Sequence, residues 1–383
     1  MLLRRLASII VGGTLTAALF LTLAGCATQQ KVEAPVKLVW PAAPQTTRIE
    51  FIRSIASDED LKRDTTFTQG VVNFLAGRKP PPNNLVEPMG LAVSDDGQVL
   101  YVSDTAWQEV FIFDFPTKSF RKIEELQLPI GLALDAQQNL YVVEQNKKGI
   151  TVFDREGKEL RFITDPSVER PTGIAIDRQR GKIYLVDTAL KASKEHTVKV
   201  FSMDGKFIGR VGKGKGEAPG QFQFPTYVAL DGDGNLYVTD TMNGRVEMFD
   251  PDGKYVKTFG ELGDGWGMFA RPKGVALDSF GNLYVADSGW SNVQIFNRKG
   301  KVLLFFGGRG ILPGMLRNPT AVAIDKRNHI YVGDYINHRI EEYALVNTTA
   351  SDSFLEPELK ADGGEKGLES GQQQMAGGAG PAR

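Results

Sequence analysis

Six carboxylates recur at matching positions along the chain, and their type and spacing could do chemistry. Each ends a short apolar run such as LYVAD, and together they are Asp104, Glu144, Asp187, Asp240, Asp287 and Asp334. A ring of such side chains could hold a cation, because carboxylate oxygens are the ligands that Ca²⁺ takes in proteins. The same side chains can instead accept N–H bonds from their own loops, or pair with Arg245 or Arg339. Because they recur in every copy whereas a site needs asymmetry, the sequence favours the structural role.

Other segments that look like known sites lack part of the required pattern. DGDGN at 231–235 begins like a calcium loop, but Leu236 and Met242 stand where that loop needs Gly and Glu. GKGKGE at 212–217 has the glycine spacing of a phosphate loop, yet it leads into prolines rather than a helix N-terminus. No Gly-x-Ser-x-Gly elbow occurs, and the sequence shows no histidine cluster among its three histidines, His196, His329 and His338.

The carboxylates belong to a repeat that covers most of the chain. Each copy has an apolar run, a polar turn and a second apolar run, which is typical of a β-hairpin. Both runs are apolar on both faces, so neighbouring sheets are expected to cover each strand. A third strand such as VQIFN follows each copy, and a fourth such as VKTFG ends most of them. The six copies occupy 89–104, 130–144, 172–187, 226–240, 273–287 and 320–334.

Four antiparallel strands repeated radially predict an all-β propeller of six blades over residues 48–345. The last copy stops after its third strand, and RIEFIRSI at 48–55 alternates like a strand. We expect this N-terminal strand to complete the last blade, which closes the ring and removes an open edge. Residues 60–78 do not fit a blade and carry apolar residues at helical spacing, so they predict a short amphipathic helix over one mouth of the ring.

The repeat resembles the NHL-repeat family of propellers. The resemblance is carried by Pro272, Gly274, Asp278, the segment 281–287 and Phe296, with equivalents in every copy. The Asp-x-x-Asn-x-Arg segment of that family is absent from the first three copies. It is complete in the two segments Asp240–Asn243–Arg245 and Asp334–Asn337–Arg339.

The resemblance implies several possible activities, and each requires residues that can be sought in this sequence. The amidating lyase of this fold uses histidines around zinc, and no such cluster is visible in the sequence. Lactonase-type propellers use scattered acidic and Asn ligands, which leaves a Ca²⁺-dependent hydrolase or lyase acting in the channel as the alternative function. Some family members bind RNA through a basic face. Here Lys213 and Lys215 form only a weak patch and the net charge is −1, so neither nucleic acid nor any cofactor other than Ca²⁺ is expected.

The N-terminus resembles a bacterial lipoprotein signal. Arg4 and Arg5 precede an apolar run over 6–23, and LAGC ends at Cys26, the single cysteine of the chain. The resemblance implies removal of residues 1–25, acylation of Cys26 and attachment to an envelope membrane. A plain signal anchor is the alternative. Ala27 after the cysteine favours the outer membrane, with the protein facing the periplasm or the exterior.

The segments on either side of the propeller differ from it in composition. Residues 26–47 are rich in Pro, Ala and Gln and are expected to form a flexible tether from the lipidated cysteine. Residues 346–383 are rich in Gly, Glu, Gln and Ser with almost no large apolar residues, which predicts a disordered tail.

Strand parity divides the connections between two faces of the ring. The turns after the first and third strands of a blade lie on one face, here called the first face. The turn after the second strand and the link to the next blade lie on the other, the second face. The loop after the second strand is longer in one copy than in the others. The acid that ends the second strand and the aromatic residue of the third are nine positions apart in five copies and fourteen apart in Asp187–Phe201. Because variable loops on a rigid scaffold carry function, the second face is the predicted ligand face. Its candidate residues are Trp107, Lys191, His196, Tyr227, Trp266, Lys273, Trp290 and Tyr335.

The sequence thus predicts a membrane-anchored, monomeric propeller that binds a protein, a peptide or a glycan in the cell envelope. It assigns no catalytic residue and no metal ligand. A third hypothesis is a purely structural subunit of an envelope assembly, with contacts spread over the blades.

Overall fold

The computed structural model describes residues 37–61 and 82–349. Contacts divide the chain into two units, Met1–Lys37 and Leu38–Arg383, and the strands that the structure describes all lie in the second. The leader over 1–25, the first part of the tether, nearly all of the helix expected at 60–78 and most of the tail lie outside the described residues. No helix within 37–61 and 82–349 is long and apolar enough to cross a bilayer.

Two short strands, β1 (Val39–Trp40) and β2 (Ile49–Ile55), and a 3-10 turn (Asp58–Leu61) precede the repeats. Each of the first five repeats then forms a four-stranded antiparallel blade with its strands in chain order. Blades 1 and 2 consist of β3 (Pro88–Val93), β4 (Val99–Asp104), β5 (Glu109–Asp114), β6 (Ser119–Ile123), β7 (Pro129–Leu134), β8 (Leu140–Glu144), β9 (Gly149–Phe153) and β10 (Glu159–Ile163).

The remaining blades repeat this arrangement. Blades 3 and 4 consist of β11 (Pro171–Asp177), β12 (Lys182–Asp187), β13 (Thr197–Ser202), β14 (Phe207–Val211), β15 (Pro225–Leu230), β16 (Leu236–Asp240), β17 (Arg245–Phe249) and β18 (Tyr255–Phe259). Blade 5 and the C-terminal part of blade 6 consist of β19 (Pro272–Leu277), β20 (Leu283–Asp287), β21 (Asn292–Phe296), β22 (Val302–Gly307), β23 (Pro319–Ile324), β24 (His329–Asp334) and β25 (Arg339–Leu345).

The N-terminal strand closes the ring, as the sequence predicts. β2 pairs antiparallel with β25, with Ile49 opposite Leu345 and Ile55 opposite Ile340. β1 then pairs with β2, so the last blade has five strands rather than the four that the repeat suggests. The six-bladed, all-β propeller is thereby confirmed.

The hydrophobic core lies between adjacent blades. Val110 and Ile112 of blade 1, for example, pack with Leu132 and Val142 of blade 2, and all four are buried. The innermost strands come so close that the second residue after the leading proline is glycine in four blades. A Cβ at Gly131 would lie 2.4 Å from the carbonyl oxygen of Thr172 in the next blade.

Two blades lack glycine at this second position after the leading proline. Blade 6 has Ala321 at the equivalent position, and blade 4 has Tyr227. A large side chain where the other blades have none or a methyl group makes blade 4 the asymmetric part of the inner wall.

Candidate ligand-binding face

The six recurrent carboxylates are buried and hold loops of the second face in place. Asp287 accepts N–H bonds from Ala270 at 2.7 Å and Arg271 at 3.0 Å in the preceding link, and from Gly289 at 2.8 Å and Trp290 at 3.2 Å in its own loop. Asp104 is fully buried and binds its link and loop in the same way. The structural role that the sequence favours is therefore confirmed for these carboxylates.

The arginine pairings differ between the two complete Asp-x-x-Asn-x-Arg segments. Arg245 pairs with Asp240, with 3.0 Å between Nε and Oδ2. Arg339 instead pairs with the buried Glu341 on its own strand, while Asn337 donates to Asp334 at 2.7 Å. In the part of the chain that the structure describes, no group of three or more His, Cys, Asp or Glu side chains is placed to hold a metal ion.

A cup of about 400 Å³ opens at the centre of the second face. It is lined by residues at the starts of the innermost strands and by residues directly after the second strands of the blades. Among the described residues its charged lining side chains are Arg170 and Lys273, and none of the carboxylates described lines it. The remaining lining residues are Met89, Thr105, Leu128, Ile130, Gln145, Thr172, Thr188, Thr226, Tyr227, Asn318 and Tyr335. This donor set does not fit Ca²⁺, which needs carboxylate and carbonyl oxygens.

Tyr227 forms the floor of the cup. It extends from blade 4 and donates its hydroxyl to the carbonyl oxygen of Met89 in blade 1, at 2.5 Å. Blades 1 and 4 are opposite in a ring of six, so this side chain crosses the channel axis. Burial raises the pKa of Tyr227 above its ordinary value, which keeps the hydroxyl protonated as a donor.

An ion cluster crosses the channel on the first face. Asp95 of blade 1 accepts two bonds of 2.9 Å from Arg178 of blade 3 and lies 2.7 Å from Lys326 of blade 6. Burial alone would raise the pKa of Asp95, but its bonds to Lys326 and Arg178 hold it below the ordinary value. Arg178 also donates to the carbonyl oxygen of Leu134 in blade 2, so the cluster joins four blades.

The hydroxyl and amide groups of the cup wall are engaged with the next blade. Thr188 donates to the carbonyl oxygen of Pro225 at 2.6 Å and shares a bond of 2.9 Å with Thr172. Gln145 donates to the carbonyl oxygen of Pro171 at 3.1 Å. These bonds fix the wall. Lys273, Arg170 and the amide of Asn318 retain N–H donors that bind no other described residue.

Lys273 is the half-buried cation of the cup. Its Nζ lies 3.4 Å from Oδ1 of Asn318, its one hydrogen bond within the described ranges. Burial lowers the pKa of Lys273, and the neighbouring Arg271 lowers it further. Arg170 is exposed at the rim, and its guanidinium has no hydrogen bond to any residue that the structure describes.

Tyr335 stands at the same rim, beside Glu87. Its hydrogen bond to Glu87 raises the pKa of Tyr335, with a further contribution from burial. Thr105 also donates to Glu87, at 2.8 Å, so this carboxylate at the rim accepts hydrogen bonds from two side chains of the cup wall.

The three predicted tryptophans lie away from the cup and are exposed. The exposed fractions are 53 % for Trp107, 54 % for Trp266 and 42 % for Trp290. Two of the indoles are fixed by their N–H groups, since Trp107 donates to the carbonyl oxygen of Asn84 at 2.9 Å and Trp290 to that of Gly263 at 3.2 Å.

Trp266 and Trp290 line a second cavity of about 210 Å³, together with Asp264, Asn292 and Phe305. The ring of Trp266 packs on that of Phe305, with 4.8 Å between centroids. The structure thus separates the predicted residues into an axial group and a peripheral tryptophan group.

Two predicted residues belong to neither cavity. His196 is fully buried; its Nδ1 accepts the N–H of Phe224 at 3.0 Å, and burial lowers its pKa. Lys191 is exposed, and its carbonyl oxygen accepts a bond from Lys215 at 2.6 Å. Both residues order the long loop of blade 3 against the following link.

Exposed aliphatic residues add to the second face. They lie in the loops after the second strands and in the links between blades, and six of them are Leu190, Met242, Leu262, Ile311, Leu312 and Ile336. The sequence did not single them out, nor Arg170 and Asn318. Each of the last two directly precedes a leading proline, and the parity argument applied to that position would have found them.

Two buried carboxyl groups beneath this face, those of Glu247 and Asp240, make the free energy of unfolding depend on pH. Burial raises the pKa of Glu247 to about 7 and that of Asp240 to about 6, and both face Arg245. The folded protein therefore retains protons that the unfolded chain releases, so this pair makes the free energy of unfolding fall as pH rises from about 4.5 to about 7.

Glu247→Gln is expected to remove much of that fall. Gln keeps an acceptor for the N–H of Gly220 but cannot ionise. The variant should match the parent at pH 4.5 and exceed its free energy of unfolding at pH 8 by an amount on the order of 2 kcal/mol. Urea denaturation across this pH range measures the difference. Parallel curves for the two proteins would contradict the assignment.

Comparisons with known proteins find two related propeller types in the chain. Residues 79–189 match the family described as SMP-30/Gluconolactonase/LRE-like region, and residues 269–296 and 316–343 match the NHL repeat. The first match covers blades 1 and 2 and the first half of blade 3, and the second covers most of blades 5 and 6.

Individual relatives are distant. "Protein brain tumor" of Drosophila melanogaster is 27% identical over 137 residues, which cover 34% of this chain and 12% of that protein. Peptidylglycine alpha-amidating monooxygenase of Rattus norvegicus is 28% identical over 141 residues, or 33% of this chain and 14% of that protein. The chain thus spans less than a sixth of the length of these relatives.

Among solved structures, a gluconolactonase of Xanthomonas campestris superposes with a TM-score of 0.57 at 17% identity. The match covers 82% of this chain and 96% of that one. At this level of identity the likeness establishes the fold.

Proposed function

We propose that this six-bladed propeller, which carries NHL repeats in its last two blades, is a lipid-anchored binding protein of the bacterial cell envelope. Its second face takes a protein or peptide partner. The observation that carries the proposal is the set of exposed tryptophan and aliphatic side chains on that face. These side chains, which all lie in loops of the second face, are here called the patch, and exposed apolar surface of this kind marks interaction sites on folded proteins.

The chemistry of the patch favours a protein or peptide over a glycan. Ile311 is 67% exposed, and Leu312 and Leu262 are each 63% exposed. Saturated side chains gain little from a hydroxyl-rich sugar but gain from covering by another apolar surface. The tryptophans add large, fixed contact areas of the kind that dominates protein interfaces.

The anchor rests on the sequence of the N-terminus. Acylation of Cys26 would hold the protein on the bilayer. Because β1 begins at Val39, the part of the expected tether before it, residues 27–38, would let the propeller lie about 20 Å from the membrane if it behaves as a flexible chain. This distance leaves the second face accessible to proteins of the same membrane.

Site-specific photo-crosslinking in native membranes tests the partner. A benzophenone amino acid at Leu312 should yield a reproducible protein adduct, identified by mass spectrometry. The same probe at Val256, which is exposed on the outer strand of blade 4, serves as the control. Equal yields at the two positions, or no adduct at Leu312, would contradict the proposal.

Substitutions distinguish specific contacts with the partner from non-specific hydrophobic binding. Trp266→Ser should reduce the Leu312 adduct at least tenfold, because it removes an exposed indole from the patch. Phe162→Ser, an exposed aromatic residue on the outer strand of blade 2, should leave it unchanged. Cys26→Ser should release the protein to the soluble fraction and tests the anchor separately. A glycan recovered instead of a protein would reassign the ligand class.

A further inference from the structure

We infer that the axial cup is a receptor for a carboxylate attached to an apolar group, and that Lys273 and Arg170 bind the carboxylate. This inference rests on the proposed function, because it specifies the ligand chemistry at the centre of the same face. It concerns residues distinct from the tryptophan and aliphatic patch, so the two can fail independently.

The charge balance of the cup is the first support. Two cations, from blade 5 and from the link before blade 3, line it, and no carboxylate in 37–61 or 82–349 does. The nearest rim carboxylate, Glu87, already accepts bonds from Thr105 and Tyr335. Lys273 is half-buried. Charges partly withdrawn from water are normally paired, so an anionic ligand supplies what the cup lacks.

The hydrogen-bond state of Lys273 is the second support. An ammonium group has three N–H donors. Within the described residues, Lys273 uses one of them, in a long bond of 3.4 Å to Asn318. Burial disfavours its charged form, and an anion alongside would restore that charge, which favours binding of the protonated lysine and a carboxylate together.

The apolar part of the cup wall favours an apolar group next to the carboxylate of the ligand. Met89, Leu128 and Ile130 provide an apolar side, and the ring of Tyr227 closes the floor. A volume of about 400 Å³ lies in the range of ligand pockets. The cup therefore has room for a carboxylate and a short apolar group, as at the end of a peptide or in a small organic acid.

Phosphate fits this donor set less well. A phosphate dianion needs several N–H or O–H donors to offset its loss of hydration. The hydroxyls of Thr172 and Thr188 are already engaged with each other and with the carbonyl oxygen of Pro225. Two cations and the amide of Asn318 match one carboxylate group instead.

The test is calorimetric titration of the propeller with N-acetyl-leucine and with N-acetyl-leucinamide, which differs only in lacking the carboxylate charge. N-acetyl-leucine should bind at least tenfold more tightly than the amide. Inorganic phosphate should bind more weakly than N-acetyl-leucine. Octanoate serves as a simple acid, and a ratio of affinities that favours it over N-acetyl-leucine would assign the cup to small organic acids rather than peptide ends.

Variants complete the experiment. Lys273→Met and Arg170→Gln should each weaken N-acetyl-leucine at least tenfold. Lys254→Met, at an exposed turn of the first face, should change nothing. Arg170 is exposed, so its variant remains informative even if Lys273→Met does not fold. Equal binding of the acid and the amide, tighter binding of phosphate, or unchanged binding in Arg170→Gln would each overturn the inference.

The outcomes separate this inference from the proposed function. If carboxylate binding is absent while Leu312 still crosslinks a protein, only the cup assignment is wrong. Carboxylate binding without any crosslinked protein would instead identify a small-molecule receptor and overturn the protein-binding proposal.

Discussion

Asp287→Ala is expected to lower the free energy of unfolding by about 3–5 kcal/mol. The side chain is fully buried, and its two oxygens accept four backbone N–H bonds. Alanine leaves these partly buried donors without their acceptor, and each such loss costs on the order of 1 kcal/mol. Chemical denaturation of the purified propeller measures the loss.

Two further variants calibrate this result. Asp287→Asn keeps an acceptor oxygen and should lose less than the alanine variant. Asp252→Ala changes an exposed aspartate in a turn of the first face and should stay within about 0.5 kcal/mol of the parent. If Asp287→Ala also stayed within 1 kcal/mol, the carboxylates would not be the loop anchors that their bonds suggest.

The same change has a consequence for binding. Asp287 holds both the link with Arg271 and the loop with Trp290, which are neighbours of the second-face patch. Loosening them should weaken the crosslink at Leu312 even in the folded population. A site on loops depends in this way on a buried residue that never contacts the ligand.

The fold could be predicted from sequence because each blade repeats its own local signals. Alternation, turn residues and the leading prolines set the strands, and parity alone assigned every loop to a face. The position of RIEFIRSI before the first copy was enough to predict ring closure. The extra pairing of Val39 with Glu50 was missed, because a two-residue strand has no periodic pattern to detect.

The site could be predicted only in part, since it depends on which residues meet across the ring. Tyr227, Lys273 and Tyr335 do meet at the cup. The bond from Tyr227 to Met89 joins residues 138 positions apart and follows from closure of the ring rather than from any local pattern. His196 is a sequence candidate because it lies in the long second-face loop of blade 3, but burial makes it part of the loop interior.

Deleting residues 1–56 is expected to abolish cooperative folding. The deletion removes β1 and β2, including the fully buried Ile49 and Ile55. It also removes Trp40 and Phe51, whose rings lie 5.7 Å from that of Tyr343. Burial of four such side chains contributes about 6–10 kcal/mol, which is comparable with the whole stability of a typical domain.

Polar contacts and the exposed edge add to this loss. Glu341 and Glu342 lose the bonds of 2.6 Å from Ser54 and Arg53. β25 becomes an open edge that can pair with another chain, so the truncated protein should aggregate. The chain that begins at residue 37 keeps both strands and is the matched control.

Adding the missing strands back as a peptide tests whether their loss is what prevents the truncated chain from folding. A synthetic peptide of residues 37–57 added during refolding should restore a soluble protein with a cooperative unfolding transition, because the register of β2 on β25 is set by side-chain burial on both sides. A scrambled peptide of the same composition should not. A truncated chain that unfolds cooperatively without the peptide would show that three strands suffice for the last blade. Ring closure would then have to rest on the contacts between β23 and β3 at the inner wall, where Thr320 donates to the carbonyl oxygen of Pro88 at 3.0 Å.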